Sequence, residues 1–200
     1  MENKNQVTII APIGNGKEKE VLEAGIYRAT CYGIVVVGTK KENFNGDEKN
    51  RCKIMLFFEL PDEMRVFDID KGEQPFSLKK EYTFTMFSKS SLRKDLEAWR
   101  GKDFTDAEAA VFNISTLLGV GVNLGVGIKT SRTNKRYNVI NSLNPNKKHK
   151  AELINKSMLF NINSFDLEAY LALPVWLQNY IADTPEFEEI KAAGTFEVES

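Results

Sequence analysis

The sequence predicts a mainly β chain of the α+β class: a five-stranded barrel with one helix between strands three and four, then a helical, acidic C-terminal stretch. Three observations carry this expectation. Runs rich in β-branched and aromatic residues fall at residues 26–37, 51–60, 81–87, 120–129 and 136–143. The apolar spacing changes from two to three and four between the third and fourth of these runs, at Leu92, Leu96 and Trp99. Charge also reverses along the chain. Residues 24–150 hold 22 Lys/Arg against 15 Asp/Glu, net +7, and residues 151–200 hold 2 against 9, net -7.

The elements follow in order. Residues 1–23 read as an N-terminal arm with one short strand at 7–10. The first strand runs from Ile26 to Val37 and stops at Gly38, and a polar loop at 40–50 carries the hairpin-turn residues Asn45-Gly46-Asp47. The second strand alternates, with Cys52, Ile54, Leu56, Phe58 and Leu60 on one face and Arg51, Lys53, Met55, Phe57 and Glu59 on the other. Residues 61–79 read as a lobe with a short strand near 65–69, and the third strand spans 81–87. Ser90 or Ser91 caps a helix ending at Gly101, and Thr105 with Glu108 forms a capping box for a second short helix through Val111. Two strands joined by a turn at 131–135 close the set. Glycines at 33, 38, 121, 125 and 127 suit strands that bend sharply in a barrel. The order strand-strand-strand-helix-strand-strand is that of the OB barrel, with a β-sandwich as the competing architecture. The domain expectation is an arm at 1–23, a barrel at 24–145, and a helical segment with an acidic tail at 146–200.

Several function classes are excluded or weakened by composition. Hydrophobic residues are 42% and charged residues 28%, enough apolar material for a core. No apolar run approaches the roughly 20 residues of a membrane span, and residues 1–5 lack the layout of a signal peptide. With Cys31 and Cys52 reading as reduced thiols, this predicts a cytoplasmic protein. One histidine, His149, and two cysteines leave almost no material for a zinc site or a Cys/His catalytic pair, so neither metal nor cofactor is expected. Carboxylate pairs such as Asp68/Asp70 and Asp103/Asp106 leave only a carboxylate-metal nuclease as an enzymatic alternative, and a non-enzyme is expected. Gly14-Asn15-Gly16-Lys17 lacks the first glycine and the Ser/Thr of a phosphate loop.

An OB barrel binds oligonucleotides on the face of strands two and three and through two of its loops. The cations collect around those places. Lys40, Lys41, Lys49 and Arg51 surround the first loop, and Lys129, Arg132, Lys135 and Arg136 the second. The outward faces of strands two and one add Lys53, Phe57, Arg28 and Tyr32. Cations release counterions from phosphates and rings stack on unpaired bases, so the mixture suits a single strand. Phe57 could equally sit under the 61–79 lobe, and Trp99 is expected in the core. Arg93, Lys94 and Arg100 form a basic stripe that reads as solvated helix surface. Residues 183–200 carry net -5 and are expected to shield the basic face, unless Phe187 and Ile190 anchor them as a closing helix.

The segment Ser91 to Thr105, SLRKDLEAWRGKDFT, followed by Phe112, Leu117-Leu118-Gly119, Tyr137-Asn138-Val139-Ile140 and Leu173-Pro174-Val175-Trp176-Leu177-Gln178, resembles a group of bacteriophage and prophage proteins from replication and recombination cassettes. That group is similar to phage OB-fold single-stranded DNA-binding proteins. The resemblance implies non-enzymatic binding of single-stranded DNA in phage or mobile-element replication or recombination. The alternative is a phage structural or adaptor protein built on the same barrel. Expected partners are single-stranded DNA, replication or recombination proteins reaching the acidic tail, and a second copy of the chain, with no membrane.

Overall fold

The structure is a computed structural model that describes residues 20–44, 46–146 and 152–194; the expected strand at 7–10, His149 and residues 195–200 lie outside them. Two long strands dominate it, β1 (Gly25–Phe44) and β2 (Asp47–Asp68), paired as one antiparallel hairpin in which Lys40 faces Arg51 and Glu42 faces Lys49. The residues read as a polar loop are therefore strand: the cross-strand ladder continues to the turn because Gly46 supplies the positive φ it needs. β3 (Gly72–Thr83) returns along β2, beyond a short turn at Ile69–Lys71. The third strand thus begins nine residues before its expected start, and the "lobe" at 61–79 is the far end of the β2–β3 hairpin. Pro75 falls at the register shift between Leu60 and Met64, on an edge strand that can lack an N–H.

Helices α1 (Ser91–Arg100) and α2 (Asp106–Val111) match the local signals closely. Ser90 accepts from the Arg93 amide, Gly101 closes α1 in the left-handed region, and Thr105 and Glu108 form the capping box. Strands β4 (Gly121–Thr130) and β5 (Arg136–Pro145) follow, then β6 (Met158–Asn161), α3 (Leu167–Leu171), α4 (Val175–Ala182) and α5 (Pro185–Ala192).

The sheet order is β3-β2-β1-β4-β5, antiparallel throughout, with β6 added parallel to β1. β1 bridges the sheet: Gly25 to Thr30 pair with β4, whereas residues from Thr30 onward pair with β2. Register shifts at Tyr32 and Val37 bend it within its pairing with β2. The sheet does not close into the expected barrel. β3 and β5 approach each other without forming a ladder, and both edges carry Lys or Arg, which disfavours edge-to-edge pairing.

One face of the sheet holds the core beneath α1. Trp99 is buried as expected, its ring 5.7 Å from Phe58 and its indole N–H donating to the Gly121 carbonyl at 2.9 Å. The opposite face of β1 and β2 is covered too, by the chain after residue 151. Consequently residues 53–60 of β2 are buried on both faces. Phe160, Tyr170, Leu177, Ile181 and Phe187 complete this second layer. Of the acidic segment 183–200, expected to shield the basic face unless Phe187 and Ile190 anchor it, Pro185–Ala192 is a docked helix. Thr184 caps it, Pro185 opens it, and Phe187 is almost fully buried.

Candidate nucleic-acid interface

The covering layer changes the surface on which the sequence places its site. Phe57 lies under Trp176 of α4 and beside Tyr32, with ring centroids 6.2 and 6.1 Å apart respectively, and not under the 61–79 segment. Lys53 is only 5% exposed; its ammonium is held by Glu42 and by the Thr83 hydroxyl. Lys53 was expected on an open face, and Phe57 either there or under the 61–79 lobe; both are instead sealed by the C-terminal layer and the hairpin. Tyr32 is half-buried; burial pushes its phenol up, against a hydrogen bond with Ser77.

The first basic cluster is largely consumed by structure. Lys40 Nζ donates to the carbonyls of Tyr180 and Asp183 at 2.6 and 2.8 Å and lies 4.2 Å from the Tyr180 ring centre, so it caps the C-terminal end of α4. Arg51 pairs with Glu42 at 3.4 Å, and Arg28 makes a two-point bridge to Asp62 at 2.5 and 2.7 Å. Lys41 and Lys49 are exposed and carry no acidic partner among the described residues. Of the helix stripe, Arg93 is buried between Glu97 and Asp106, at 2.9 and 2.7 Å, and only Lys94 is the solvated residue expected.

The second basic cluster has a different setting. Lys129 stands opposite Tyr137 across the β4–β5 hairpin, and Thr130 opposite Arg136. Lys129, Arg132, Lys135 and Arg136 are all exposed, without acidic partners among the described residues. Lys129, Arg136 and Tyr137 form one wall of a cleft of about 640 Å3, whose other wall is Phe76 to Glu81 of β3. Lys79 and Lys80 come from that wall. Lys80 pairs with Asp95 at 2.7 Å, and Lys79 lies 3.8 Å above the Trp176 ring. Glu20 and Glu81 also line the cleft, so cations exceed acids four to two. Tyr137, 45% exposed, adds an accessible ring. This cleft is the open seam between β3 and β5.

The two basic clusters are not brought together. β4 pairs with the N-terminal end of β1, so its hairpin extends past Gly25, whereas Lys40, Lys41 and Lys49 lie at the other end of the strand. Lys79 and Tyr137 escaped the sequence reading of the site, Lys79 because the third strand was expected to start at Glu81. With β3 beginning at Gly72, its alternation places Lys79 opposite Phe57. Trp176 was legible as a helix residue, but nothing local indicated that it reaches the sheet.

Among the described residues no cluster of three or more His, Cys, Asp or Glu side chains could hold a metal ion, and no helix is long and apolar enough to cross a membrane. Comparison with protein families, curated proteins and solved structures returns no match.

Proposed function

We propose that the protein binds single-stranded DNA non-enzymatically, through the β3–β5 cleft and the adjoining β4–β5 hairpin. The observation that carries this is the convergence of Lys129, Arg136 and Tyr137 on Lys79 and Lys80 across one cleft. Phosphates need cations with water-accessible heads, and the unpaired hairpin cations provide them. The exposed ring gives an unstacked base a partner that a duplex cannot use. The element order and the sheet order support an OB-like relationship in which the seam between β3 and β5 stays open to admit the strand. The resemblance of residues 91–105 and the later segments to phage replication and recombination proteins supports a phage or mobile-element setting. Fluorescence anisotropy of labelled (dT)20 tests the reading. The Lys129→Glu/Arg136→Glu protein binds at least tenfold more weakly than wild type at low salt, whereas Lys41→Glu/Lys49→Glu changes binding less than threefold. Equal losses from both pairs would mean that the cleft has no special role.

A further inference from the structure

The basic cleft is not isolated. It shares Glu20, Phe76 and Ser77 with a neighbouring depression, and that depression shares Asn155 with a third groove of about 580 Å3. The third groove lies between β6 with its preceding link and the α3–α4 pair. Tyr32, Phe57 and Trp176 supply its aromatic wall, and Leu173 and Pro174 add apolar surface. Trp176 is 46% exposed, a large fraction for an indole already touching Phe57 and a lysine.

We infer that one base of a bound single strand leaves the basic cleft over the edge of β3 and stacks on Trp176 in this groove. The inference rests on the single-strand reading of the cleft and names a subsite beyond it. Charge favours a base over a phosphate as the occupant. Asp166 and Glu168 stand on the groove's rim and repel phosphate, while an uncharged base keeps its ring on the aromatic wall and can offer amino groups to the acids. The cations lie where the backbone would cross. Lys79 projects from β3 onto the indole, and Lys156 lies in the link before β6. Lys79 thus lines the cleft and touches the groove's tryptophan. Every base has a π-face, so such a subsite tolerates any sequence.

The chain has two tryptophans, and Trp99 is buried and hydrogen-bonded, so an emission change on binding reports mainly on Trp176. The full chain is titrated with unlabelled (dT)20 while emission is followed, and affinity is measured separately by anisotropy of labelled (dT)20. The expected result is quenching of the wild-type emission at saturation and loss of that quench in Trp176→Phe. Trp176→Ala then binds about tenfold more weakly. Tight, salt-sensitive binding with unchanged wild-type emission overturns the subsite and leaves the cleft reading intact. Absence of (dT)20 binding at low salt overturns both. The wild-type quench needs no variant, so it decides even if Trp176→Ala is unstable.

Discussion

Glu59 has no solvent exposure, yet it is a carboxylate in the middle of a strand. Its oxygens accept from the amides of Ile154 and Asn155 at 2.9 and 2.8 Å and from Asn155 Nδ2 at 2.8 Å. A charge so placed joins the sheet to the link that precedes β6. Glu59→Ala removes the acceptor of both amides and of Asn155 Nδ2 from the sheet interior and is expected to lower the unfolding free energy by about 2–4 kcal/mol, read by urea denaturation. Loss of less than about 0.5 kcal/mol would show that the link is not fixed here. Glu186 makes the corresponding junction at the other end of β1. Burial pushes its carboxyl up, but the hydroxyl and amide of Thr39, with the charge of Lys40, outweigh burial and hold it below the ordinary value. Glu97 is lowered as well, first by its hydrogen bond from Arg93 and then by the Phe104 amide. Both groups bind protons more weakly in the folded chain. Their stabilisation is therefore full above the unfolded carboxylate value of about 4.3 and disappears as pH falls through the folded values. Melting temperatures should be level from pH 7 to 5 and drop below about pH 4. Glu186→Gln should show a smaller drop, and an equal drop would place the sensitivity elsewhere.

At the scale of elements, the C-terminal segment is a second layer of the domain rather than an appendage. Gly38 shows how closely it sits. Its φ is +101°, and a Cβ there would lie 3.0 to 3.2 Å from Glu186 and Thr184. Gly38→Ala meets both a left-handed backbone and the N-terminus of α5, so a loss of about 1–3 kcal/mol is expected in the same denaturation assay. A neutral result would mean that α5 moves aside at little cost. How much of this was legible depends on how local each signal is. α1 and α2 were readable almost to the residue because Ser90, Gly101, Thr105 and Glu108 act within four positions of where they stand. The start of β3 was not, since Gly72 to Lys80 lacks a clean alternation and becomes a strand by pairing with β2. β6 has four residues and owes its existence to a parallel pairing with Gly33 to Val36, which leaves no local mark. α5 was obscured by its acids. Phe187 is buried and Ile190 packs beside it, but six acids in 183–200 made solvation the stronger reading. The site was half legible for the same reason. The hairpin cations depend on a local turn, whereas Lys79, Tyr137 and Trp176 become neighbours of the cleft or groove only through the tertiary fold.

Across the whole molecule, the +7 body and the -7 C-terminal stretch meet, among the described residues, in specific contacts. Lys40 meets Asp183 and the end of α4, and Tyr180 donates to Glu81 at 2.9 Å. The acidic segment thereby docks at the β1–β2 end, where it takes up Lys40 but not Lys41 or Lys49, and the β4–β5 hairpin, at the opposite end of β1, keeps its cations unpaired among the described residues. Under the proposed function, a polyanion binds at that hairpin end. The salt dependence of (dT)20 affinity for wild type and for Lys129→Glu/Arg136→Glu tests that claim most directly. Each phosphate contact on a single strand contributes about -0.7 to the slope of log affinity against log salt. Wild type should show a steep negative slope, and removing two contacts should make it shallower by about 1.4. Identical slopes for the two proteins, or a wild-type affinity indifferent to salt, would contradict a phosphate path through the β3–β5 cleft.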